Sequence, residues 1–396
     1  MLHIQKRFLF KDTETVVSIT NENEFLLIEL NDTIFYPGGG GQPCDSGIII
    51  SPEFSGDVVD MIKKENKILH KVKPRYGNLK VGDNVELEIN KEKRDTLVKM
   101  HTGEHILFKS LEIVFGDIEL NKIDLDTNES SLFINTKNVD WDGLFKAEEI
   151  VNKIISEDRL IIEKEYPREE AIALGKLRIK PDRIKSDTIR VVEIEDFDWS
   201  ACAGTHAKTT GYVKNILITK FNLNKGKWEI RFKTDVNEEL FMHSKLLRKL
   251  SEQTGTDITR ISDAIYALQN NYDNYKEKFR NLSAKLLEHS TEEKIGDINL
   301  IYNIVEDLEK KQLTDKTNEL MKENTIILFI NKIDERATVF LSIHPSLNIN
   351  APELLNNILS KFDGKGGGRD TFASGSISSE KIDAFLKLFK NELLTK

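Results

Sequence analysis

The chain has 396 residues, 57 basic and 66 acidic side chains, a net charge of −9 and 39% hydrophobic residues. That length exceeds what one hydrophobic core supports, so two or three domains are expected. The acidic balance excludes a generally basic nucleic-acid binder without excluding a local basic patch.

The N-terminal MLHIQKRFLF lacks the apolar stretch of a targeting segment, and no run of about 20 apolar residues follows. A soluble, cytoplasmic protein without a membrane partner is therefore expected. Only Cys44 and Cys202 occur. So few cysteines in a large chain suit a reducing compartment, and one disulfide between them is the single pairing open.

Residues 1–90 read as short strands. TVVSIT (15–20), EFLLIEL (24–30), TIFYP (33–37), SGIII (46–50) and NVELEIN (84–90) are separated by Gly, Pro, Asn and Asp turn signals. The expected unit is a small β-barrel. Within it, FYPGGGGQPCDSG (35–47) holds four consecutive glycines, which permit positive φ and close backbone approach to a ligand. It lacks the Lys-Ser/Thr of a phosphate-binding loop and opens no helix, so a nucleotide cradle is not expected.

Residues 91–236 read as a mixed α+β domain. A helical pattern covers 93–115, and FKAEEIVNKIISEDR (145–159) is a second helix. Between and after them come the strands SSLFIN (130–135), TIRVVEI (188–194), ILITKF (216–221) and KWEIRFK (227–233).

Residues 237–292 read as a helical hairpin. Gly255 stops a first helix, and Thr256 or Asp257 caps a second. Ile258, Ile261, Ile265, Leu268, Tyr272, Tyr275, Phe279, Leu282 and Leu286 alternate spacings of three and four, a coiled-coil seam. A packed spacer is the expectation, with an oligomer contact as the alternative. From 293 to 396, INLIYNIV, NTIILFIN and ATVFLSIH are buried strands among amphipathic helices. The last domain is α/β and closes on FDGKGGGRDTFASGSI (362–377), whose glycine run is read as a flexible stretch or tight turn.

Charge is unevenly shared between these parts. The last 156 residues carry 22 basic and 23 acidic side chains, so −8 of the −9 lies in the first 240. A polyanion would meet the rear part with least repulsion.

The chemistry concentrates in two short segments. MHTGEHIL (100–107) places His101 and His105 on one face of a helix. CAGTH (202–206) adds Cys202 and His206, again four apart. Together they make a His₂/Cys/His set, the ligand types and number that zinc prefers, with one Zn2+ expected per chain. His101-Thr-Gly-Glu-His105 also matches an inverted zinc-peptidase pattern with Glu104 as base. A thiolate ligand would quench the Lewis acidity that a peptidase needs, so the peptidase reading ranks behind another zinc hydrolase. A closed four-ligand site is also compatible with a non-catalytic, zinc-stabilised RNA-binding protein.

FYPGGGGQPCDSG, HTGEHIL and VVEIEDFDWSACAGTH (191–206), in this order, resemble the editing domain of alanyl-tRNA synthetases and the free-standing AlaX proteins. FDGKGGGRDTFASGSI is similar to the glycine-rich end of the synthetases' C-terminal domain, which also occurs in DHH-type phosphoesterases. No Asp-His-His motif or aminoacylation module is recognised, so the plan looks like the long form of AlaX over nearly the whole chain. Two departures stand out. Ala203 replaces the usual first glycine of Cys-Gly-Gly-Thr-His, which could narrow the pocket, and Glu104 occupies a position often held by threonine in the synthetases.

The resemblance implies a trans-editing hydrolase that removes serine, and as a second substrate glycine, from alanine tRNA. It implies that Gly38, Gly39, Gly40, Gly41 and Gln42 line or close over the pocket. Asp198 would orient a ligand or the substrate amine, and Glu104 would accept a proton. Lys365, Gly366, Gly367, Gly368 and Arg369 would contact tRNA, and a homodimer would form through the C-terminal region.

Overall fold

The fold is that of a computed structural model, which describes residues 8–64, 67–175, 177–178 and 187–395. The chain divides into two compact units, 1–246 and 247–396. Among the described residues no helix is long and apolar enough to cross a membrane.

The first unit opens with β1 (Lys11–Glu22), β2 (Phe25–Leu30), β3 (Gly47–Ser51), β4 (Phe54–Lys64), β5 (Lys67–Gly77) and β6 (Asn84–Ile89). They close into a barrel in the order β1-β2-β5-β4-β3-β6, with every neighbouring pair antiparallel. Alternation builds its core: Val85, Leu87 and Ile89 of β6 point inward, as do Ile28, Ile49 and Val72. The β4–β5 hairpin escaped the sequence reading because its outer positions are so often Lys or Asp. TIFYP, expected as a strand, is irregular instead. Its polar backbone groups are met by side chains: Thr33 Oγ1 accepts from the Phe35 amide and Asp45 from the Tyr36 amide. Arg94 donates to the Ile34 carbonyl. Those side chains stand in for a ladder partner.

Helix α1 (Lys91–Phe115) leaves the barrel directly. Asn90 caps it by accepting from the Lys93 amide, and Gly116 ends it at φ +79°. Nearly every residue from Leu97 to Leu111 is buried, so this helix runs through the middle of its domain rather than over it. Around it lie β7 (Glu119–Asp124), β8 (Ser130–Asn135), α2 (Trp141–Ser156), β9 (Ile161–Pro167), α3 (Arg168–Ala173), β10 (Thr188–Ile194), β11 (Asp198–Ala201), β12 (Ile216–Asn224) and β13 (Lys227–Thr234). The strands form two sheets, β12-β13-β8-β7 and β11-β10-β9. At Gly103 a Cβ would meet Ile216 and Thr234 at 2.9 Å, so that residue lets α1 lie against β12 and β13.

Helix α4 (Asn237–Thr254) follows and spans the division between the units. Gly255 turns the chain at φ +63°, and Asp257 caps a short 3-10 turn that runs into α5 (Ile261–Glu288). The heptad seam departs from expectation. Ile261 is buried, but Ile258, Ile265, Leu268, Tyr272, Tyr275, Phe279, Leu282 and Leu286 are all exposed. A spacing of 3.5 residues needs a facing helix to bury it, and among the described residues this face lies at the surface and is not packed as a spacer.

The second unit continues with β14 (Thr291–Ile295), β15 (Ile298–Glu306), α6 (Lys310–Leu320), β16 (Thr325–Ile333), β17 (Arg336–Ile343), α7 (Ala351–Leu359), β18 (Lys365–Arg369), β19 (Phe372–Ser378) and α8 (Ile382–Leu393). One six-stranded sheet, β14-β15-β16-β17-β19-β18, forms its middle, with β15 and β16 parallel across the α6 connection. The Lys365–Arg369 run corrects its expected character. It is the edge strand β18, paired in register with β19 from Lys365↔Ser376 to Arg369↔Phe372. A Cβ at Gly368 would lie 1.9 Å from the Phe372 carbonyl, and one at Gly366 would lie 2.8 Å from Leu359 of α7. Gly366 and Gly368 therefore serve close packing and not looseness.

Candidate metal centre and cleft

His101 and His105 sit one turn apart on buried α1, with ring centroids 5.4 Å apart. Cys202 and His206 reach them from the segment after β11, which is a loop and not a helix. Arg190 of β10 fixes that loop by donating to the carbonyls of Cys202 (2.6 Å) and Gly204 (3.0 Å). Gly204 is required where it passes His101, because a Cβ there would meet the imidazole at 2.0 Å. One donor atom from each of His101, His105, Cys202 and His206 falls within 4.8 Å of the others.

Each imidazole has a polar neighbour at its outer nitrogen, hydrogen-bonded for His101 and His206 and an ion-pair partner for His105. Gln42 Oε1 lies 2.7 Å from His101 Nδ1, Thr102 Oγ1 lies 3.5 Å from His206 Nδ1, and Asp198 Oδ2 lies 3.5 Å from His105 Nδ1. His101 and His206 thus turn Nε2 toward Cys202 Sγ, both at 3.3 Å. Such outer partners fix ring orientation in metal sites. The donor set fits a metal ion: three nitrogens on buried histidines and one sulfur on the half-buried Cys202, all convergent.

For Cys202 the electrostatics agree. Burial opposes the Cys202 thiolate, but His101 and His206 pull the thiol well below its ordinary value, toward the form that binds metal. Burial alone would lower His105, yet Asp198 and then Cys202 outweigh it and raise it to about 9. Asp198 is held well below the usual carboxylate range, because Arg178 and His105 outweigh its burial.

This centre lies at the floor of a cleft of about 800 Å³. Gly39, Gly40 and Gly41 form one wall, with Gly41 at φ +91° accepting from the Leu125 amide. Ile118, Leu120 and Ile123 add apolar lining. The loop is braced from behind by the buried Asp45–Arg94 ion pair, which ties it to the start of α1.

Glu104 faces this cleft fully buried, with neither carboxylate oxygen hydrogen-bonded among the described residues. Among the described residues it stands 3.8 Å from His105 and 3.9 Å from Arg178. Gln42 does not line the cleft. It is buried behind His101, donating to Thr205 Oγ1 at 2.8 Å and accepting from the Thr205 amide at 3.1 Å. Asp198 is likewise set behind His105, bound to Ser200 and Arg178. Gly38 lies behind the wall, its carbonyl accepting from Lys63 at 2.5 Å. Ala203 is exposed at the mouth, where its methyl adds to the lining. Lys365–Arg369 belongs to the second unit.

Cys44 and Cys202 are both unpaired thiols, so the disulfide left open by the sequence is not made. The sequence reading missed Thr102, Ser200, Arg178 and Arg190. Ser200 had a local signal, since Asp198 and Ser200 share one face of a strand by alternation. The two arginines had none, standing 24 and 12 residues before Cys202 in an otherwise basic stretch.

The chain matches three family descriptions: tRNA synthetases class II (A) over 2–93, threonyl and alanyl tRNA synthetase second additional domain over 189–231, and DHHA1 domain over 297–395. It is 31% identical to the alanyl-tRNA editing protein AlaX-L of Pyrococcus horikoshii, covering 93% of this chain and 92% of that protein. It is 30% identical to the alanine–tRNA ligase of Pyrococcus abyssi across 91% of this chain but only 41% of the ligase. A solved C-Ala domain of Aquifex aeolicus alanyl-tRNA synthetase aligns with 27% of this chain and 99% of its own, at 23% identity and a TM-score of 0.25.

Proposed function

The chain belongs to the family of alanyl-tRNA editing proteins, and from that premise we propose that its cleft hydrolyses the ester of mischarged alanine tRNA, releasing serine and, by the same chemistry, glycine. The observation that carries the proposal is the floor of the cleft, where His101, His105 and Cys202 of the His₃Cys donor set and an unpaired Glu104 carboxylate face the same space.

One zinc ion per chain is the group proposed for His101, His105, Cys202 and His206. When bound, it would polarise the ester carbonyl or hold the substrate's polar groups in place. The protein's residues do the rest. Glu104 accepts a proton from the attacking water, and its burial beside the floor keeps that water ordered. Gly39–Gly41 bring bare backbone close to the terminal nucleotide. Gln42 and Asp198 act through His101 and His105, which they orient. An aminoacyl ester is already activated relative to a peptide, so these groups suffice.

Phosphate contacts are assigned to the second unit. Lys365 and Arg369 are exposed on the β18 edge, where cationic tips and glycine amides can neutralise a tRNA backbone. A homodimer is assigned to the exposed seam of α5, because a second copy supplies the facing helix that a 3.5-residue repeat needs.

The test is release of amino acid from seryl-, glycyl- and alanyl-tRNA(Ala), with and without a chelator and after zinc is restored. Rapid, chelator-sensitive loss of serine and glycine with alanine spared is expected. Tight tRNA and zinc binding without release from any ester would overturn the hydrolase reading.

A further inference from the structure

We infer that Arg178 is a catalytic residue of this cleft: its unpaired guanidinium nitrogen receives the carbonyl oxygen of the scissile ester as negative charge builds there. The inference rests on the ester-hydrolase reading above and adds to it a residue that neither motif contains.

Arg178 is held on every side but one. Its amide donates to the Trp199 carbonyl at 2.8 Å, and its own carbonyl accepts from Ala201 at 3.3 Å. Its Nε donates to Ser200 Oγ at 2.9 Å. Its Nη2 donates to the same oxygen at 2.6 Å and to Asp198 Oδ2 at 3.1 Å. The guanidinium lies over the Phe108 ring at 4.4 Å. These contacts fix the plane of the guanidinium and so fix where the remaining nitrogen points.

That nitrogen, Nη1, is buried and has no hydrogen-bond partner among the described residues. A buried donor left unmade is costly, and native proteins satisfy the great majority of them. Glu104 Oε1 stands 3.9 Å away, beyond hydrogen-bond reach, and both Glu104 oxygens lack a hydrogen bond among the described residues as well. A strut between two elements would have closed this gap into a direct pair. Instead a fixed cationic donor and a fixed carboxylate stand side by side, both lining the cleft next to His105 and Cys202. A pre-oriented donor without a resting partner suits an oxygen that becomes anionic only during the reaction.

The step balances with these two groups and water. The water oxygen bonds to the ester carbon while Glu104 takes one of its protons. The carbonyl π electrons move onto the oxygen that faces Arg178. They then return, the bond from carbon to the ribose oxygen breaks, and that oxygen leaves with the proton held by Glu104. The products are a free amino acid and an uncharged tRNA end.

Two measurements on the full chain test the assignment. In the first, Arg178→Ala and Arg178→Lys are assayed on the ester that the wild type cleaves. kcat should fall by about 10²–10³, the loss typical of one oxyanion donor. KM and bound zinc should stay near wild type, and added guanidinium should restore part of the Arg178→Ala rate. In the second, two non-hydrolysable analogues of 3′-seryl adenosine are titrated, a neutral amide and a tetrahedral phosphonate. Arg178→Ala should weaken the phosphonate by a factor on the order of 10² and leave the amide nearly unchanged. Should Arg178→Ala lose zinc or fail to fold, the same comparison is read from Arg178→Lys, which keeps a charge opposite Asp198. Equal weakening of both analogues, or a raised KM at unchanged kcat, would overturn the assignment and leave the hydrolase reading intact. A wild type that cleaves no ester and binds neither analogue would remove both.

Discussion

Gln42 Oε1 and His101 Nδ1 meet at 2.7 Å, although 59 residues separate them in the chain. Gln42 comes from the glycine-rich loop of the barrel and His101 from the buried helix of the next domain. The same side chain also donates to Thr205 Oγ1, 163 residues away. One amide therefore joins the barrel loop to both halves of the metal set, and it explains why a glycine-rich loop and two metal-binding segments occur together.

Removing that amide should loosen the metal without unfolding the barrel. Gln42→Ala is expected to weaken zinc by about 10–100-fold, the usual cost of losing an outer partner of a metal-bound histidine. Competition against a chromophoric chelator reads this directly. Unchanged affinity would mean that His101 is oriented by something else.

Two neighbouring small residues should behave oppositely. Gly204→Ala puts a methyl 2.0 Å from the His101 imidazole, so it should abolish zinc binding and destabilise the first unit by about 1–3 kcal/mol. Ala203→Gly sits at the exposed cleft mouth and should leave zinc content and thermal stability as they are. Metal analysis and calorimetry of the two variants check the pair, and a zinc-replete Gly204→Ala protein would contradict the geometry.

The buried Asp45–Arg94 pair is the brace under the loop, with both side chains about 1% exposed. Arg94→Met strands the Asp45 carboxylate and should cost about 3–5 kcal/mol. Adding Asp45→Asn should recover part of that loss, because the uncompensated charge goes with it. Denaturant midpoints of the two single variants and the double variant complete the cycle.

The barrel should also carry a pH response of its own. His70 is buried, with Nε2 at 2.8 Å from Thr33 Oγ1 and Nδ1 at 3.0 Å from the Ile28 carbonyl. Burial lowers it from 6.5 to about 4. Its folded value lies below its unfolded value, so between these limits the unfolded chain binds more protons. Stability is then complete above about pH 6.5 and falls as the pH drops toward 4, by about 3 kcal/mol in all. His70→Gln should flatten the unfolding free energy across that window. A parallel slope in wild type and variant would assign the effect elsewhere.

His101 with His105, and Cys202 with His206, were legible in the sequence because each pair is a matter of four residues. Over so short a stretch, helix periodicity or one tight loop decides which side chains can meet. Strands β1, β2, β3 and β6 of the barrel and the buried strands of the last domain were legible for the same reason, since alternation along a strand reports its faces locally.

The tertiary structure alone decided the rest. Gln42 turned from the cleft to the back of His101, and Asp198 took its place behind His105. Arg178 entered the site without any motif. Gly366 and Gly368 sit in an edge strand, close against Leu359 and Phe372, and the seam of α5 lies at the surface among the described residues. For Gln42, Asp198 and Arg178 the outcome depends on which distant segments the cores press together, and contacts across tens to hundreds of residues leave no periodic trace in the sequence.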